Sequence, residues 1–315
     1  MTFCQFVVGP PGAGKSTYCH GMYQFLSAIG RRCAVVNLDP ANDHPAYPCA
    51  IDIREVLDIE TIMETSNLGP NGALLYAMEA IEYHVDWLVE RLQKLKDIYI
   101  IFDSPGQVEL FTHHNSLRKV VTVLEKKLGY RPVAVQLIDS FCCTDAATYV
   151  SALLLSLKTM LQLDLPHVNV LSKADLLCTY GPLPMRLDYF TEVQDLSHLE
   201  PLLNRDPRLA RYGDLNARIC ELVEEFGLVS FEVLAVENKA SMLHLLQTID
   251  KAGGYAMGST EAGGDSVWAT AVRQGGDPYR DVSLQERWID MKEEYDEYEA
   301  KLEEEAMEQM EEAAE

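Results

Sequence analysis

Positive charge is what this sequence has least of for its size. Its 26 Lys and Arg stand against 49 Asp and Glu, a net charge of −23 over 315 residues. A surface this acidic repels phosphate backbones and anionic headgroups, which disfavours nonspecific binding to nucleic acid or anionic membranes. No apolar run is long enough to span a bilayer, and no N-terminal signal-peptide pattern is present. Cysteines in C-x-x-C spacing are absent too. The eight are Cys4, Cys19, Cys33, Cys49, Cys142, Cys143, Cys178 and Cys220. Several fall in apolar strand patterns, where a reduced thiol packs as a small hydrophobe. These absences describe a soluble protein of a reducing compartment. No internal repeat is evident. What is present is an apolar content of 48%, ample for the core of one large domain or two small ones.

The acidity is unevenly spread. Residues 284–315 carry 14 acidic and 3 basic side chains, so nearly half of the excess sits in a tenth of the chain. Before them, residues 253–283 are rich in Gly, Ser, Thr, Asp and Gln and read as a flexible linker. The acidic segment has a thin apolar stripe of Leu284, Trp288, Met291, Tyr295, Tyr298 and Leu302. Like charges make it marginal as a free helix. The expectation is a conditional helix that docks on a partner or on the body, with a solubilising tail as the alternative.

The stretch that organises the chain is Gly9-Pro10-Pro11-Gly12-Ala13-Gly14-Lys15-Ser16-Thr17, which matches G-x-x-x-x-G-K-[ST]. The apolar segment Cys4–Val8 precedes it as a strand and a helix is predicted over Ser16–Ile29, the context such a loop requires. Backbone N–H groups of Gly12, Ala13, Gly14, Lys15, Ser16 and Thr17 would face a polyphosphate at a helix N-terminus. Lys15 would reach the outer phosphates, and the Ser16 hydroxyl would ligate Mg²⁺.

Further apolar segments predict strands at Cys33–Asp39, Tyr99–Asp103, Pro132–Asp139, His167–Leu171 and Ser230–Val236. Residues 40–98 read as mostly helical, an insertion with a turn at Asn67–Gly72. A long amphipathic helix follows through Leu74, Leu75, Met78, Ile81, Val85, Leu88 and Leu92. One helix is predicted over 108–128, another over Ala146–Leu163 and a last near Lys239–Lys251. Strands alternating with helices predict an α/β fold, a doubly wound and mostly parallel sheet with helical insertions. Its nucleotide site belongs at the C-terminal strand ends.

Asp103-Ser104-Pro105-Gly106-Gln107 follows a strand with the spacing D-x-x-G-Q. Asp103 is placed to hold Mg²⁺ through water, the Gly106 N–H to sense a γ-phosphate, and Gln107 to orient the attacking water. Glu109 is a weaker candidate for polarising that water. Asp39, ending the second strand, is a candidate contact to metal or water. Ser172-Lys173-Ala174-Asp175 resembles the guanine-reading N-K-x-D. A carboxylate only accepts hydrogen bonds, and guanine offers two donors where adenine presents an acceptor. Asp175 would therefore select guanine, with Lys173 lying along the base. His113-His114 lacks a third ligand at a metal-binding spacing.

With Gly69-Pro70-Asn71 these motifs form a signature. Over residues 1–252 the chain resembles the GPN-loop GTPases, and looks closest to the second eukaryotic paralogue. The resemblance implies a SIMIBI-type P-loop fold hydrolysing GTP to GDP with Mg²⁺. It also implies a homodimer, or a heterodimer with a paralogous GPN-loop GTPase, in which Asn71 reaches toward the partner's γ-phosphate. Pro10 and Pro11 stand where many SIMIBI relatives carry an extra lysine, which leaves Asn71 more to do. The cellular role implied is assembly and nuclear import of RNA polymerase II. RNA polymerase subunits or assembly factors would be the partners, with no direct contact to nucleic acid or membrane, in the cytoplasm with shuttling to the nucleus left open. Two alternatives remain: a nucleotide-stabilised scaffold with little turnover, and a P-loop phosphotransferase. Against the second, Gln107 is placed for water and no Arg-rich lid segment stands out.

Overall fold

A computed structural model describes residues 2–95, 98–205, 207–255 and 283–301, apart from the Leu209 side chain. Seven strands form one parallel sheet: β1 (Phe3–Val8), β2 (Cys33–Asn37), β3 (Cys49–Asp52), β4 (Tyr99–Asp103), β5 (Arg131–Asp139), β6 (His167–Ser172) and β7 (Phe231–Val233). Their order is β3-β2-β4-β1-β5-β6-β7, and every pairing is parallel. Central β1 pairs with β4 on one side and β5 on the other. That is where a doubly wound sheet opens its ligand crevice.

Both faces are covered, so the central strands are apolar throughout rather than alternating. Period two still decides which layer each residue enters. Cys4, Phe6 and Val8 pack on one side with Phe102, and Val7 on the other with Ile101 and Val135. The first layer is closed by α3 (Pro70–Tyr83), α4 (Val85–Leu92) and α6 (Ser116–Leu128), the second by α1 (Lys15–Ala28) and the helix Lys239–Gly253.

Several expectations are corrected here. Strand β3 lies inside the region read as mostly helical. It is a four-residue edge strand in which Ile51 alone is buried, too short to leave a periodic signal. The amphipathic helix over 73–95 is two helices that break at His84. Ile81, Val85, Leu88 and Leu92 keep their helical spacing across the break, so the pattern cannot register it. Likewise 108–128 divides into α5 (Val108–Thr112) and α6. β2 also stops at Asn37, leaving Asp39 in the following turn. Among the described residues one helix, α7 (Ala146–Leu163), is long and apolar enough to reach the lower limit for a membrane span, with 18 residues and mean hydropathy 1.3. Half of it is buried inside the molecule, with Tyr149, Leu153 and Leu157 in the core.

The linker expected over 253–283 falls mostly outside the described residues, as does the acidic segment beyond residue 301. The intervening piece lies on the body. Glu286–Asp290 forms a turn of π-helix, and residues 292–301 continue as α-helix. The expected stripe is only partly used: Trp288 is buried, whereas Met291 and Tyr298 are exposed. The wider turn brings Arg287 inward, where it pairs with Asp296 and Glu299 at 2.8 Å each.

A second buried charge pair braces the opposite end of the sheet. Arg31 holds Asp250 through two hydrogen bonds of 2.8 and 3.0 Å, its guanidinium stacked on Tyr99 and Tyr255. Removing one partner strands a buried charge. Asp250→Ala is therefore expected to cost about 3–5 kcal/mol in urea-unfolding experiments, while Arg31→Met with Asp250→Leu costs much less than either truncation alone.

Candidate functional site

The phosphate loop runs from β1 into α1, and its geometry follows from glycine at the helix entrance. Gly14 caps α1 in the left-handed region, φ 86°, which a β-carbon would disfavour. The first N–H groups of α1 have no partner within the helix. Lys15 is buried, and the hydrogen bond its ammonium donates within the protein runs to the Pro10 carbonyl at 3.2 Å. Burial lowers its pKa from the usual lysine range, while Asp103 and Asp39 draw it back.

Register brings the carboxylates in. Asp103 ends β4, paired with Val7 of β1 on one side and Asn37 of β2 on the other. The Ser16 hydroxyl donates to Asp103 Oδ2 at 2.7 Å, and so does the Tyr47 hydroxyl at 2.7 Å. The other oxygen, Oδ1, is buried without a hydrogen bond. Burial raises the pKa of Asp103 against the pull of Ser16, Tyr47 and Lys15, and raises that of Asp39 similarly. The half-buried Ser16 hydroxyl, a carboxylate with one unpaired oxygen and a second carboxylate nearby form a hard, all-oxygen donor set. Such a set fits Mg²⁺, which binds through one or two carboxylates plus phosphate oxygens.

Gly106 lies against this cluster. A β-carbon there would sit 2.8 Å from Lys15 Nζ and 3.3 Å from Pro11 Cα. The next residue, Gln107, is the N-cap residue of the helix over Val108–Thr112, and its side-chain Oε1 is buried with no hydrogen-bond partner among the described residues. It is an acceptor without a donor, one residue on from the glycine that lies against Lys15.

The base-reading half lies at the ends of β5, β6 and β7. Ser172, where N-K-x-D has Asn, directs its hydroxyl at two carbonyls, Ala13 at 2.8 Å and Ile138 at 3.1 Å. The first is in the phosphate loop, so the serine itself supplies the supporting link between the halves. Lys173, at φ 60°, pairs with Asp139 at 2.6 Å. Asp175 is exposed in the first turn that follows, its carboxylate open to solvent.

The structure thus gathers Gly12, Ala13, Gly14, Lys15, Ser16, Asp39, Asp103, Gly106 and Gln107 at one end of the sheet, with Lys173 and Asp175 tied to them through Ser172. Thr17 and Glu109 are exposed. Asn71 stands apart. It is exposed in the first turn of α3, behind Gly69 and Pro70, and among the described residues it has no hydrogen bond to the phosphate loop. The sequence reading missed Tyr47, which sits in a loop with no periodic signal. It also missed Asp139, which was legible as a third strand-ending carboxylate beside Asp39 and Asp103. His114 meets Glu79 at 3.2 Å as a partly exposed pair.

A raised carboxylate pKa makes Asp103 a burden to the fold when ionised. Its contribution is most favourable below the ordinary carboxylate range and is lost as pH rises through the raised value. Asp103→Asn keeps an acceptor for Ser16 and Tyr47 without the charge. The nucleotide-free variant is expected to melt higher than wild type at pH 7, by roughly 2–4 °C for each kcal/mol gained. The difference should close on acidification, and the extra stabilisation that Mg²⁺ adds to nucleotide should be missing. Scanning calorimetry across pH, with and without both ligands, checks all three.

Comparison with known proteins fits this geometry. A family model described as "Conserved hypothetical ATP binding protein" matches residues 7–255. GPN-loop GTPase 2 of Schizosaccharomyces pombe is 72% identical over 303 residues, 96% of each chain. GPN-loop GTPase 2 of Saccharomyces cerevisiae is 51% identical, covering 94% of this chain and 87% of its own. GPN-loop GTPase QQT1 of Arabidopsis thaliana is 49% identical, covering 92% and 98%. Among solved structures, a Pyrococcus abyssi GTPase in apo form superposes with TM-score 0.66 at 22% identity, over 81% of this chain and 98% of that one. That likeness concerns the fold.

Proposed function

This chain belongs to the GPN-loop GTPase family, and from that premise we propose a Mg²⁺-dependent GTP hydrolase that works as a dimeric assembly switch. The hydrolase activity itself accords with the names of its relatives. The observation that carries the mechanism is the unpaired Gln107 Oε1, buried next to the Gly106 backbone that touches Lys15.

Loop N–H groups and the Lys15 ammonium hold the triphosphate and neutralise charge that grows as the γ-phosphoryl leaves. Ser16 Oγ, with Asp103 and Asp39 behind it, would hold Mg²⁺, which would supply positive charge to offset that of the phosphates when bound. Gln107 Oε1 accepts a hydrogen bond from the attacking water and aligns it. Water oxygen bonds to the γ-phosphorus as the bond to the β–γ bridging oxygen breaks, giving GDP and phosphate. Tyr47 keeps Asp103 hydrogen-bonded on the side away from the unpaired oxygen.

Guanine rather than adenine is the base, whatever nucleotide the family model's description names. Supporting this, the Asp175 carboxylate is exposed in the turn after β6, and no donor among the described residues satisfies it. An acceptor there pairs with the N1–H and 2-amino groups of guanine and is left unpaired by adenine, a difference of about 1–3 kcal/mol. Asp175→Asn is expected to relax the preference for GTP over xanthosine triphosphate by about tenfold or more, measured by competition binding.

Dimerisation supplies what one chain does not bring together. Asn71 is held by Pro70 at the positively polarised start of α3, exposed and aimed at no group of its own site. The same insertion carries an apolar groove of about 400 Å³ lined by Ile53, Val56, Tyr76, His84 and Trp87. It suits a contact with a homodimer or paralogue partner. Family resemblance alone adds the client, RNA polymerase II subunits or assembly factors, and the passage to the nucleus. Asn71→Ala is expected to slow single-turnover hydrolysis by 10²-fold or so while leaving GTP affinity within a factor of about three, the signature of a contact made only in the transition state. Equal near-zero turnover in wild type and Gln107→Leu would instead favour the scaffold reading.

A further inference from the structure

The C-terminal segment does not settle at random on the body. Its described contacts fall on the loops of the base-reading half and on the neighbouring helix start at residues 186–188. Trp288, 2% exposed, sits in a cluster with Ala174, Leu177, Val233 and Ala235. Ala174 is the third residue of Ser172-Lys173-Ala174-Asp175, and Ala235 follows β7 in the neighbouring loop. Lys292 Nζ donates to the backbone carbonyl of Asp175 at 2.5 Å. The Cys178 thiol, three residues beyond Asp175, donates to the Trp288 carbonyl at 3.4 Å. Asn238, which caps the helix after β7, donates to Glu299. Asp188 accepts from the Leu284 N–H at 3.1 Å and from Ser283 Oγ, and Gln285 Oε1 accepts from the Leu187 N–H at 2.8 Å.

The loop so held is otherwise fixed at its entrance, where Lys173 pairs with Asp139, Ser140 Oγ donates to the Lys173 carbonyl and the Ala174 N–H donates to the Leu234 carbonyl. Asp175 and Leu176 are exposed, in a single turn entered through the left-handed Lys173. A carboxylate that must meet two guanine donors at once needs its backbone fixed to within a fraction of an ångström. Trp288 packs beneath that turn, and Lys292 ties its carbonyl.

We propose that residues 283–301 are a strap for the base-reading loop, with Trp288 and Lys292 positioning Asp175, so that strap docking and guanine-nucleotide binding reinforce each other. This rests on Asp175 as the guanine reader. The residues are positioning groups and touch no nucleotide. Coupling of this kind is reciprocal: a docked strap tightens the nucleotide, and a bound nucleotide holds down the strap. Whatever draws the strap away loosens the base while leaving the phosphate loop as it was.

The test uses the full-length chain with Trp288→Ala and, because that variant opens a core cluster, Lys292→Met, which alters one tie to a backbone carbonyl. Two probes are titrated in each: fluorescent GDP, which uses both halves of the site, and tripolyphosphate, which uses the phosphate loop alone. The expected result is a loss of GDP affinity of about tenfold, carried by faster release, with tripolyphosphate binding unchanged. Lys292→Arg should restore GDP binding, and GDP should slow amide exchange across 283–301 in wild type. Equal losses for both probes would show general destabilisation and overturn the proposal, as would unaltered GDP binding in both variants. Asp175→Asn in the same assay separates the premises. Unchanged guanine preference there removes the base assignment, whereas lost preference with unaffected strap variants removes the strap alone.

Discussion

A hydrogen bond from the Ser16 hydroxyl to Asp103 holds this molecule's function in place. It joins residues 87 positions apart, and it exists because β1 and β4 are neighbours in register, Val7 opposite Asp103. A parallel pairing delivers both strand ends to the same edge of the sheet, so a helix entrance and a carboxylate meet there without any loop having to reach. Burial then makes the meeting costly: both Asp103 and Lys15 are displaced from their ordinary protonation preferences. A buried carboxylate beside a buried ammonium is a pairing whose chemistry suits a cation and a polyphosphate.

The two halves of the site are coupled by little more than Ser172. One hydroxyl proton has two carbonyls to serve, Ala13 in the phosphate loop and Ile138 on β5. A shared proton gives a weaker tether than an amide with two protons would. The base half therefore draws rigidity from elsewhere: from the Lys173–Asp139 pair, and from the C-terminal residues packed beneath Ala174. The Arg31–Asp250 brace serves the far end of the same helix layer, where no ligand could help.

Much of this was legible from residues alone, for a physical reason. Lys15, Ser16, Asp103 and Gln107 lie in contiguous motifs flanked by apolar strands, and a parallel sheet brings such strand ends together whatever their separation. Tyr47 was not legible, because it reaches Asp103 from a loop between prolines that follows no period. Nor was β3, whose four residues bury a single side chain, or the break at His84, across which apolar spacing continues undisturbed. The acidic segment misled in a subtler way. Its stripe suggested one amphipathic helix, yet the side chain buried most completely within it is Arg287, drawn in by Asp296 and Glu299. Hydrophobic patterning cannot foresee a buried cation whose partners lie on its own next turns.

The approach of Gly106 to Lys15 leaves clearance for a hydrogen atom and nothing larger. A side chain in place of that hydrogen would press on the ammonium and on the Pro11 backbone, so this backbone sits against the phosphate loop itself. Gln107 is the next residue and caps α5, which adjoins α6. From α6, Ser116 and Lys119 both grip Glu82 on α3. At the head of α3 stand Gly69, Pro70 and Asn71. The chain therefore contains a continuous path of packed and hydrogen-bonded parts, from Gly106 beside Lys15 to Asn71 at the head of α3. In such a train the tolerance is set at its tightest joint, and here that joint is the missing β-carbon of a glycine.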